Sequence, residues 1–117
     1  MGASTTTWLM SYRVRVWDNY EYMDESAAYD EGTYASYAEA LEAAKKVVRK
    51  SLEWQWQPGF TVDQLVTQYV MYGEDPGIIC DGPSPEPRFS ARDYANELYE
   101  EVCRSMALAH ERGGPPK

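Results

Sequence analysis

The chain has 117 residues, 44% of them hydrophobic and 14% aromatic, which suits one hydrophobic core and excludes a polar, disordered polymer. Its formal charge of −8 repels phosphate backbones and anionic lipid headgroups, so direct nucleic-acid binding is disfavoured. Cys80 and Cys103 fit neither a Cys-x-x-Cys nor a zinc-ligand spacing, and no window approaches the roughly 18 apolar residues of a membrane span, so a cytoplasmic protein with reduced thiols is expected.

Residues 1–7 read as a disordered N-terminus, 8–110 as a single α+β domain and 111–117 as a flexible tail. Within the domain, Tyr12 to Asp18 alternates with period two, which predicts a strand with Tyr12, Val14 and Val16 on one face and Arg13, Arg15 and Trp17 on the other. Tyr29 to Ala35 is a second strand candidate in which Gly32 marks a turn or bulge, and a hairpin with the first strand follows.

Three helix starts share one device. A Ser or Thr hydroxyl satisfies a free backbone N–H, and an acid or amide stands three residues later: Ser36 with Glu39, Thr61 with Gln64, Ser90 with Asp93. Tyr37, Leu41, Ala44, Val48 and Leu52 form the expected apolar stripe of the first helix. Val62, Leu65, Val66, Tyr69 and Tyr72 form that of the second, which stops at Gly73, a residue able to adopt the left-handed conformation that often ends helices. Gly73 to Gly77 reads as a plain turn and Ile78-Ile79-Cys80 as a short third strand. After a Pro-rich connector, Ala91, Tyr94, Ala95, Leu98, Val102 and Met106 mark the third helix. The expected fold class is α+β: a small antiparallel sheet of two to three strands packed against three amphipathic helices, in the order β-β-α-α-β-α.

Chemistry-bearing constellations are few. From Asp18 to Glu42 there are eight carboxylates and no Lys or Arg. Tyrosines interleave these acids, and Tyr supplies contact area at small entropic cost. The run is no EF-hand, because Met23 stands where the calcium loop needs Gly. Trp54 and Trp56 flank a helix end and could form a ligand shelf or an interface hot spot, or staple the following turn to the core. His110 is the sole histidine and has no companion in the sequence, and no P-loop or dinucleotide fingerprint is present. No residue pattern points to a catalytic site, a cofactor or a resident metal.

The succession Tyr12-Arg13-Val14-Arg15-Val16, Asn19 to Glu25, Gly32-Thr33-Tyr34, Tyr72-Gly73-Glu74-Asp75-Pro76 and Phe89 to Ala95 resembles a family of small uncharacterised bacterial proteins, over roughly residues 12 to 104. The resemblance implies a bacterial cytosolic setting and a single α+β domain, and it supplies no activity or catalytic residues.

The expected function is therefore a non-enzymatic interaction or regulatory module. Its partner would be a protein with a basic surface, bound through Tyr20, Glu21, Tyr22, Asp24, Glu25, Trp54 and Trp56. The alternative is a small-molecule or divalent-cation binding domain, with or without enzymatic activity. Aromatic surface also leaves a homodimer open.

Overall fold

The computed structural model describes residues 11–21, 25–82, 85 and 88–113. In chain order it contains strand β1 (Tyr12–Asp18), a 3-10 turn (Glu25–Ala27), β2 (Tyr29–Tyr34), helices α1 (Tyr37–Gln55) and α2 (Val62–Tyr72), β3 (Glu74–Cys80) and α3 (Ala91–Glu111). The fold is α+β with the predicted element order. The sheet is antiparallel throughout, with β1 at its centre in the order β2-β1-β3.

The alternation of β1 decides its two faces. Val14 and Val16 are buried against Ala40 and Ala44 of α1, the small side chains letting the helix lie close on the sheet. On the other face Arg13 and Arg15 both reach Asp30 of β2, at 3.6 and 2.9 Å. The hairpin carries the expected irregularity. Val14 pairs with Gly32 and Arg15 with Asp30, so Glu31 is an extra residue in β2.

β3 is longer than the sequence suggested. Glu74 to Gly77, expected as a turn, continues the strand, with Pro76 opposite Val16 and fully buried. Pro tolerates this position because β3 is an edge strand that pairs only with β1, so a missing N–H can be spared.

Each helix begins at its predicted cap. Ser36, Thr61 and Ser90 accept hydrogen bonds from the backbone N–H groups of Glu39, Gln64 and Asp93, and the Thr61–Gln64 pair closes a reciprocal box. The apolar stripes shift slightly. In α1 the buried series is Ala40, Ala44, Val48 and Leu52, with Trp56 next in the same four-residue step, while Leu41 is only partly buried. In α3 Tyr99 joins the core and Tyr94 lies at its margin. Gly73 ends α2 with φ −77°, not in the left-handed conformation. Its requirement is space, because the Tyr69 ring packs where a β-carbon would stand.

The main core gathers Val48, Leu52 and Trp56 of the α1 segment with Leu65 and Tyr69 of α2 and Ala95, Leu98 and Val102 of α3. The sheet-side cluster around Val14 and Val16 is continuous with it through α1, and Phe89 packs against both. Neither cysteine is in a disulfide, and both are partly buried.

Candidate functional site

The ends of β1, α1 and α2 converge at one extremity of the sheet. Asp18 is the last residue of β1, and its Oδ1 accepts the Tyr20 backbone N–H at 2.8 Å while its carbonyl accepts the Glu21 N–H at 3.1 Å. This side-chain-closed turn fixes the direction in which Tyr20 and Glu21 leave the sheet. Asn19 then ties the turn to the C-terminal end of α2. Its backbone N–H donates to the Gly73 carbonyl and its side-chain amide to the Tyr69 carbonyl, both at 3.0 Å. The Gly73 carbonyl, just beyond the helix, finds its donor in this turn, while the Tyr69 carbonyl, which already accepts the Gly73 N–H at 2.8 Å, takes a second one.

Tethered in this way, Tyr20 stacks on Tyr72, with ring centroids 5.3 Å apart and planes 28° from parallel. The last turn of α1 comes alongside, where Gln55 Nε2 donates to the Tyr72 carbonyl at 3.3 Å. Trp54 projects from that same turn and is 65% exposed, as is Tyr20, while Tyr72 is 43% exposed. Trp54 and Tyr72 line a cleft of about 400 Å³ whose other members include Asp18, Glu74, Ser51 and Lys50.

Hydrogen bonds tie down the floor of the cleft. Ser51, buried on α1, accepts the Glu74 backbone N–H at 3.0 Å, and the Tyr69 hydroxyl donates to the Glu74 carbonyl at 2.6 Å. The Glu74 carboxylate accepts the Tyr29 hydroxyl at 3.2 Å. Partial burial, reinforced by the charge and hydrogen bond of Glu74, pushes the Tyr29 phenol up to about 12. Tyr69 is raised further, chiefly by burial.

The residues expected to form the binding surface divide. Tyr20, Glu21 and Trp54 are exposed and belong to this extremity. Trp56 does not: it is 2% exposed, packed in the main core with its ring centre 6.3 Å from that of His110, so it offers no contact surface. Two helical positions are about 200° apart around the axis, which sends one tryptophan inward and the other to solvent. Tyr22 and Asp24 lie outside the described residues, and Glu25 opens the 3-10 turn.

Sequence reasoning missed three members of the site. Tyr72 reads as part of the apolar stripe of α2 and Glu74 as part of a plain turn, while Asp18 opens the acidic segment without standing among the expected partner-binding residues. The acidic run itself is less uniform than its sequence. Asp30 is paired with Arg13 and Arg15, and Glu31 accepts the Tyr34 hydroxyl at 2.6 Å. Among the described residues no three His, Cys, Asp or Glu side chains gather closely enough to hold a metal ion, and no helix is long and apolar enough to cross a membrane.

The geometry defines an α+β domain with an exposed aromatic cluster set among carboxylates. No family model matches the chain, and neither a curated protein nor a solved structure matches it.

Proposed function

We propose that this chain is a non-catalytic protein-interaction module that engages a basic partner surface through the extremity formed by Tyr20, Trp54 and Tyr72. The observation that carries the reading is the exposure at one place of three aromatic rings, from the turn after β1 and from helices α1 and α2, beside Asp18, Glu21 and Glu74. Exposed Tyr and Trp gathered in this way resemble the anchors of interfaces, which supply most of the binding energy. The surrounding acids steer a cationic partner over distances set by ionic strength. The family resemblance of the sequence supports a bacterial cytosol as the setting.

The test is capture of partners from a host lysate at low and high salt, with a Trp54→Ala and a Glu21→Lys form as controls. One specific partner is expected, held less well as salt rises. With that partner purified, Trp54→Ala should weaken binding by about 2 kcal/mol or more, as an anchor does. Binding that ignores both salt and Trp54 would sink the reading.

A second reading rests on the cleft itself, whose volume of about 400 Å³ suits a small molecule. It is favoured if a metabolite, and no protein, raises the melting temperature of the wild-type chain and leaves that of Trp54→Ala unchanged.

A further inference from the structure

We infer that the cleft between Trp54 and Tyr72 receives a single arginine side chain of the partner. This rests on the interaction reading above and names the group that anchors it. Two aromatic residues and two carboxylates, Asp18 and Glu74, line the same small volume. Aromatic faces attract cations through their quadrupole, most strongly for Trp. Carboxylates accept the parallel N–H pair of a guanidinium, a fork that an ammonium cannot present. Arginine alone among cationic side chains can stack and fork at once, which is what these walls offer.

Both acids are held in place before any partner arrives. Asp18 takes the Tyr20 backbone N–H and Glu74 takes the Tyr29 hydroxyl. A carboxylate has about four acceptor sites, so these bonds orient each group and leave capacity for a ligand. Tyr20 stacked on Tyr72 holds the second aromatic wall in the same manner. The chain already uses the underlying attraction elsewhere, since the Lys45 ammonium lies 5.2 Å from the centre of the Tyr94 ring. Lys50 also lines the cleft and meets an entering guanidinium as a like charge. Removing Lys50 should therefore tighten the fit.

The experiment titrates acetyl-Gly-Arg-Gly-amide into the full chain and follows the Trp54 indole N–H by NMR, assigned from the resonance lost in Trp54→Phe. The Lys peptide and the citrulline peptide, which keeps the shape of arginine without its charge, run alongside. The Arg peptide is expected to shift the Trp54 signal, the citrulline peptide to bind at least about tenfold more weakly, and the Lys peptide to fall between. Asp18→Asn should weaken the Arg peptide severalfold and Lys50→Ala should tighten it, with melting temperatures confirming that both variants fold. Equal binding of the Arg and citrulline peptides, or a Trp54 signal that no peptide moves, overturns the arginine anchor. If a captured partner still depends on Trp54 in that case, the interaction surface stands without the anchor. If capture fails as well, both readings fall.

Discussion

At the scale of single residues, close approach and hydrogen bonding decide which positions are intolerant. A β-carbon at Gly73 would overlap the Tyr69 ring and come within 2.7 Å of the Tyr69 carbonyl oxygen. The Tyr69 ring cannot simply swing away, because its hydroxyl is bonded to the Glu74 carbonyl and its body is in the core. Gly73→Ala should therefore cost about 1–3 kcal/mol, the usual range for overpacking, read as a shift of the urea midpoint at unchanged slope. Tyr29 makes a different prediction. Its folded phenol holds its proton up to about 12 against an ordinary value of 10.0, so between those values the folded state binds more protons than the unfolded. Its contribution to stability is complete below pH 10 and lost as pH rises towards 12. Tyr29→Phe should make the alkaline loss of stability in that window shallower, the rest of the loss there coming from Tyr34, Tyr69 and Tyr99, whose folded phenols are also raised, with tyrosinate absorbance reporting the titration.

At the scale of elements, the caps differ in kind although their sequences look alike. All three hydroxyls accept the N–H three residues on, but only Gln64 returns a bond, its Oε1 accepting the Thr61 N–H at 2.8 Å. Helix α2 also has the most need of help. It has 11 residues, of which Leu65 and Tyr69 are fully buried, and a helix of this length is marginal on its own. Thr61→Ala should cost about 1 kcal/mol, and amide exchange should show the first turn of α2 opening more readily than those of α1 and α3. The same helix end carries Tyr72 and Asn19's two tethers, so loosening α2 should blur the site before it unfolds the core. For β3 the informative residue is Pro76. Next to Asp75 it looks like a turn, yet its missing N–H costs nothing on an edge and its ring fills space opposite Val16.

At the scale of the whole molecule, α1 joins everything. Ala40 and Ala44 seal the sheet, Val48 and Leu52 enter the helical core, and Ser51 bonds the start of β3. Neither cluster retains a complete wall without that helix. Heat or urea should therefore unfold the described residues in one step, with near- and far-ultraviolet circular dichroism giving coincident curves, and separate transitions would show that the sheet and the helical layer are independent. Charge acts at this scale too. A net −8 pulls basic surfaces from a distance, but the pairing of Asp30 with two arginines leaves the acids around Asp18, Glu21 and Glu74 as the local field beside the aromatic cluster.

The sequence by itself determined β1 to the residue, the three helix starts, the element order and the acidic tyrosine-rich character, because caps, alternation and helical stripes are rules of neighbours a few residues apart. It also held the fate of Trp56, four residues beyond Leu52 on the buried stripe, opposite Trp54. Only the tertiary structure decided that β3 runs through Pro76, since edge position is a property of the sheet and not of the strand. It alone decided that Tyr72 faces solvent, because α2 extends past the core that would have covered it. The site belongs to this second kind. Asp18, Trp54, Tyr72 and Glu74 come from four elements, and they meet through the bonds of Asn19, Gln55 and Ser51 to groups 50, 17 and 23 residues away in the chain, a distance over which no local pattern carries information.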